Sequence, residues 1–187
     1  MMSDYMVDQS TGEAALRYKP IVVAIHWLTA ALILWQVYLG FAFSSFPKGS
    51  PERADLFTWH KTVGVTILIL ALVQLAVRLM NPPPPFPAEL AKWERAFAAW
   101  SHRAFYFLII ALPLTGLSAV SKGGATTEIV GGLTVPTIPL PALGELHEPL
   151  VFATIALLVL HVAGALKHQF IDRGPSADRM WPFRSTK

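Results

Sequence analysis

The stretch His147-Glu148-Pro149-Leu150-Val151-Phe152-Ala153-Thr154-Ile155-Ala156-Leu157-Leu158-Val159-Leu160-His161 decides how the whole chain is read. Two histidines bracket a mainly apolar run and stand fourteen residues apart. At about 100° and 1.5 Å per residue, a helix advances about 21 Å over that interval and turns to within about 40° of its starting face. Both imidazoles then look the same way at two different levels.

That run belongs to a segment, Glu148 to Phe170, long enough to cross a hydrocarbon core, which takes about 20 mostly apolar residues. Three more segments qualify: Pro20 to Phe43, Phe57 to Leu79 and His102 to Val120. The composition agrees, with 53% hydrophobic and 14% charged residues in a chain of 187, far from the balance of a soluble domain. The expected fold is all-α, a four-helix transmembrane bundle. The first span is read as retained rather than cleaved, because a polar stretch containing Asp4, Asp8 and Glu13 precedes it and no small-residue cleavage site follows. Cysteine is absent, which excludes disulfides, thiolate-held iron-sulfur clusters, zinc ribbons and covalent c-type haem.

An even number of spans puts both termini on one side. Of the fifteen Lys and Arg residues, only Lys48, Arg53, Lys61 and Lys122 lie on the opposite side, so the positive-inside bias places both termini in the cytoplasm. The sequence pI near 9.3 reflects that bias and not a nucleic-acid surface. Residues 1–19 read as a mobile cytoplasmic tail, 20–172 as the transmembrane domain and 173–187 as a second cytoplasmic tail. The proline run Pro82 to Pro85 must stop the second helix. Beyond it, Glu89 to Ser101 is expected to form a short interfacial helix with Leu90, Trp93, Phe97 and Trp100 near one face. Ser121 to Leu146, rich in Gly and Pro, is expected to cap the outer side.

Histidine inside a bilayer helix is costly unless it faces the bundle and has a partner. With inner termini, His26 lies on the inner side of helix one and His60 near the outer start of helix two. His147 starts helix four on the outer side, and His161 lies deeper. Depth-matching gives His60 with His147 and His26 with His161, two layers suited to two haem b groups with both axial positions filled by imidazole. Zinc is a poorer match, since the pairs lie on opposite sides and lack a thiolate or carboxylate. His102 and His168 lie on the inner side and, with Arg78, are candidate quinone or propionate contacts. Either histidine is also an alternative inner ligand. Arg53 and Lys61 are outer candidates for propionates, and Gly64 and Gly164 are expected to leave room beside His60 and His161.

Several elements together match a known pattern: Arg17-Tyr18 leading into Ile25-His26-Trp27; Trp59-His60-Lys61 with Gly64; Val77-Arg78-Leu79 before the prolines; His102 followed by Leu112-Pro113-Leu114-Thr115-Gly116-Leu117; His147-Glu148-Pro149-Leu150; and His161 to His168, ending at Arg179-Met180. On these the chain resembles the bacterial cytochrome b-561 family, four-helix di-haem membrane proteins that include the superoxide oxidase type. The resemblance covers roughly residues 17 to 183. It implies that His26, His60, His147 and His161 bind haem iron, and that electrons pass across the bacterial inner membrane between an outer-side donor and the quinone pool, with superoxide as a donor in some members.

An enzyme taking electrons from superoxide needs cations near its outer haem to draw in the anion. The outer connections balance Lys48, Arg53, Lys61 and Lys122 against Glu52, Asp55, Glu128, Glu145 and Glu148, which leaves Lys61 as the candidate for anion steering. Three functional classes follow. A quinone-linked oxidoreductase acts on superoxide or another small donor unaided. A membrane-anchor cytochrome subunit needs a separate redox protein. A haem-free transporter would be colourless, and no span has the mid-segment Gly/Pro break with an ionisable cluster that such sites use.

Overall fold

The computed structural model of the chain describes residues 18–86, 90–172 and 178–180. Four long helices dominate, each apolar enough to cross a membrane. The expected tails fall largely outside the described residues, as do Arg17, Glu89 and Arg173.

Helix α1, Pro20–Ser45, starts with proline at a first-turn position, where the missing N–H costs nothing. It ends at Phe46, held extended (φ −91°, ψ 150°) by the steric demand of Pro47. Helix α2, Pro51–Met80, begins earlier than hydropathy indicates, because Ser50-Pro51-Glu52 is a complete start signal. The Ser50 hydroxyl accepts the Arg53 N–H at 3.2 Å, Pro51 opens the helix, and Glu52 faces the positive end of its dipole. The connection to α1 is correspondingly tight. Arg53 Nη1 spans it, donating to the carbonyls of Phe43 and Phe46 at 3.0 Å each, so this guanidinium satisfies orphan helix-end acceptors. At the other end, the Asn81 side chain donates to Val77 O at 2.8 Å, and the prolines follow.

Helix α3 runs without interruption over Lys92–Ala119. The expected interfacial helix therefore exists as the first turns of α3 and not as a separate element. Nothing between Lys92 and His102 breaks a helix, and Ser101 at the junction is buried. The Glu94 carboxylate accepts the Ala91 N–H at 3.0 Å and closes the start. Trp93, Phe97 and Trp100 remain exposed, and amphipathic indole rings favour a membrane boundary.

After α3 comes the cap. It holds a 3-10 turn at Val120–Gly123, a hairpin of β1 (Thr126–Glu128) antiparallel to β2 (Thr134–Pro136) and a short helix α4, Pro141–Gly144. The hairpin turns at Gly131 and Gly132, both in the left-handed region (φ 85° and 72°) that glycine enters without steric cost. Gly144 presses on α3 so closely that a Cβ there would stand 2.5 Å from Ala119 Cα. The Ser118 hydroxyl donates to Leu140 O and pins the same corner. Helix α5, His147–Leu166, then returns and continues into a π-helical turn, Lys167–Asp172.

Packing follows chain order: α1 on α2, α2 on α3, and α3 on α5. Leu39, Val63 and Ile67 form the buried cluster of the α1–α2 interface. Large apolar residues such as Leu34, Ile69, Phe107 and Val159 point outward, which suits lipid as the surrounding solvent. Both described ends of the chain meet at the end of the bundle opposite the cap. There Tyr18 N–H donates to Arg179 O at 3.4 Å, the buried Arg179 Nη2 donates to Pro84 O at 2.8 Å, and Trp27 Nε1 donates to Met180 O at 2.8 Å. Burial holds the Arg179 pKa below the ordinary guanidinium value, yet a guanidinium stays charged.

Candidate functional site

Helix α5 packs on α3 but makes no comparable contact with α1 or α2. Between α5 and the α1–α2 pair, two sets of imidazoles face one another. Near the cap, His60 of α2 and His147 of α5 have ring centres 6.3 Å apart and planes at 83°. Toward the terminal end, His26 of α1 and His161 of α5 have ring centres 6.4 Å apart and planes at 60°. His102 of α3 adds a third ring, 5.8 Å from His161, and Phe105 lies 5.3 Å from the same imidazole.

A metal held between two imidazoles separates their ring centres by about 6.2 Å, from two metal–nitrogen bonds of about 2.0 Å and two ring radii of roughly 1.1 Å. Both facing pairs stand at that spacing. The nitrogens are also prepared. His147 Nδ1 donates to Leu112 O at 3.0 Å, with Thr115 Oγ1 at 3.1 Å. The proton is thereby held on Nδ1, leaving the Nε2 lone pair for a metal. On His60 one ring nitrogen meets Gln36 at 3.2 Å, and Nδ1 is buried with no hydrogen-bond partner. Neutral nitrogens in pairs, without thiolate or carboxylate, fit an iron whose other positions a flat macrocycle fills.

Glycine on the neighbouring helix makes room for each capped-end ring. A Cβ on Gly116 would stand 3.2 Å from His147 Cε1, and one on Gly40 would stand 3.4 Å from His60 Cε1. A Cβ on Gly64 would stand 3.2 Å from Gln36 Nε2, and one on Gly164 would meet no protein atom within 4 Å.

A family model described as "Prokaryotic cytochrome b561" matches residues 17–183. The chain belongs to the prokaryotic cytochrome b561 family. Among its relatives, "Cytochrome b561 homolog 2" of Escherichia coli strain K12 is 30% identical over 178 residues, covering 88% of this chain and 90% of the relative. "Cytochrome b561 homolog 1" of the same organism is 24% identical over 173 residues, covering 90% and 98%. "Probable superoxide oxidase CybB" of Yersinia pestis is 25% identical over 176 residues, covering 89% and 96%. As a cytochrome b561 this is a multi-pass bacterial membrane protein of electron transfer, and the family's cofactor is haem b.

The remaining candidates of this cytochrome b561 are placed as follows. Arg78, in the last turn of α2, lies within electrostatic range of His102 and of Tyr106. Gln74, also on α2, accepts the Thr29 hydroxyl at 3.0 Å. His168 is held apart from them: its Nδ1 lies 2.7 Å from Asp172. Glu94, His168 and Asp172 come within metal-ligating range, but Lys167 Nζ already stands 2.9 Å from Glu94 and 2.7 Å from Asp172, filling the place of a cation. Lys61 Nζ donates to Thr127 Oγ1 of the hairpin at 3.1 Å and lies over Phe57, so it ties α2 to the cap. Sequence reasoning missed Gln36 and Gly40, and it named Thr115 and Gly116 only as part of a matching pattern, without a role. Of these only Gln36, a lone amide in an apolar span, carried a signal in its residue type.

Proposed function

We propose that this cytochrome b561 holds two b haems, one between His60 and His147 and one between His26 and His161. It carries electrons across the bacterial inner membrane between a donor at the capped, outer face and the quinone pool. The observation that carries this reading is the stacking of two facing imidazole pairs, at 6.3 and 6.4 Å, on the single helix α5. When bound, each haem supplies a one-electron iron couple with both axial positions filled by protein, so no substrate needs to bind iron. The residues' work is to hold the rings, exclude water and set the local charge. His102 and Arg78 sit where a propionate or a quinone oxygen at the inner layer finds donors, and His168 with Lys167 sits further toward the cytoplasmic surface. The positive-inside distribution supports cytoplasmic termini.

Superoxide is the donor this reading puts first, supported by the likeness to the Yersinia pestis relative. Stopped-flow mixing of the purified, detergent-solubilised protein with superoxide, with and without ubiquinone, tests it. Rapid haem reduction followed by quinone-dependent reoxidation is the expected result, and an unchanged haem spectrum would refute it.

One observation favours a second reading, a membrane-anchor subunit serving a separate redox protein. Arg53 and Lys61, two of the four outer cations, are occupied by Phe43 and Phe46 carbonyls and by the Thr127 hydroxyl. The outer connections also set five carboxylates, Glu52, Asp55, Glu128, Glu145 and Glu148, against four cations, which leaves a weak funnel for a small anion. Haem reduction that requires a co-purified protein donor would select this alternative.

A further inference from the structure

Helix α3 is longer than a bilayer requires. Its 28 residues rise about 42 Å at about 1.5 Å each, against a hydrocarbon core of about 30 Å. No charged residue occurs from Ala104 to Ser121, so that run fills the core. The surplus turns, Lys92 to Arg103, stand in the headgroup layer at the terminal end of the bundle.

These turns present one exposed stripe. At about 100° per residue, Trp93, Phe97, Trp100 and Phe107 fall within about 80° of one another. All four are exposed, Trp93 by 67% and Trp100 by 68%. Lys92 and Arg103 are exposed as well. They share one flank of that arc, about 20° apart in direction and about 17 Å apart along the axis. The Arg103 guanidinium lies over the Trp100 ring, 5.2 Å from its centre, a cation–π contact that keeps the charge at the level of the indole. The stripe carries no carboxylate. Glu94, the acid of these turns, accepts the Ala91 N–H at 3.0 Å and pairs with Lys167 at 2.9 Å. Arg95 lies on another side of the helix, and its Nε donates to Leu90 O at 2.8 Å. Phe107 continues the stripe into the span, so what covers these turns is continuous with the lipid around the helix.

We propose that the stripe from Lys92 to Phe107 is a binding surface for an anionic phospholipid. Its headgroup lies against Arg103, Trp100 and Lys92, and its acyl chains run along Phe107. Phosphatidylglycerol has an uncharged alcohol beyond its phosphate, so it brings a net negative charge to the two cations. Phosphatidylcholine carries its own ammonium and gains little from them. Indole rings favour the interface of either lipid. Adhesion therefore comes from the aromatic residues, and selectivity from Lys92 and Arg103.

Native mass spectrometry of the purified protein tests this, with release from detergent micelles that carry either phosphatidylglycerol or phosphatidylcholine of matched acyl chains. The wild type is expected to bind phosphatidylglycerol about fivefold more tightly than phosphatidylcholine, and the preference to shrink as ionic strength rises. The double variant Lys92→Gln, Arg103→Gln is expected to lose it. The double variant Lys48→Gln, Lys122→Gln removes equal charge from two exposed cations at the capped end and is expected to keep it. Circular dichroism of both variants monitors their helix content. Equal affinity of the wild type for the two lipids, a preference indifferent to salt, or equal loss in both double variants would overturn the assignment. So would a wild-type dimer that the Lys92→Gln, Arg103→Gln variant fails to form, because the stripe would then join two copies of this chain.

Discussion

The imidazole of His147 rests on Gly116: a Cβ at that position of α3 would stand 3.2 Å from Cε1 and 3.4 Å from Nδ1 of the ring. Helix α3 thus shapes the capped-end site from behind, although it supplies neither member of that facing pair. Its Leu112 carbonyl fixes the proton on the same ring, one turn earlier.

Gly116→Val is expected to displace His147 and, since one of the two proposed haem sites is then lost, to reduce haem content by about half. The haem-to-protein ratio of the purified variant checks this.

Ser50 closes the start of α2 through its hydroxyl. Ser50→Ala is expected to cost about 1 kcal/mol, the usual loss for a helix N-cap. The check is the midpoint of thermal unfolding followed by circular dichroism in detergent, compared with an exposed control such as Ser45→Ala.

Lys61 joins α2 to the hairpin. Lys61→Met is expected to raise hydrogen exchange across 126–136 by loosening the Thr127 contact. If Lys61 also steers superoxide, Lys61→Glu slows haem reduction more at low than at high ionic strength. A salt-independent rate in both proteins would leave Lys61 as a tether alone.

Much of this fold was legible because its signals are local. Apolar run length marked four spans, and the spacing of His147 and His161 placed two imidazole levels on one helix. Span ends were less legible, since hydropathy fades gradually where helices continue into the interface. Ser50-Pro51-Glu52 and the unbroken run from Lys92 give the true starts of α2 and α3. The surroundings of the rings were hidden for a different reason. Gly40 and Gly116 matter only through the registers of α1 against α2 and of α3 against α5, which no single-helix periodicity contains. The tether on Lys61 likewise depends on where the hairpin settles.

The central claim is that α5 carries one ligand of each of two haems. It is tested most directly by haem content and redox titration of purified His147→Ala and His161→Ala. Each variant is expected to lose one haem and one redox component, His147→Ala the component that His60→Ala also loses, and His161→Ala the other. Full haem content with both components intact in either variant would contradict the claim.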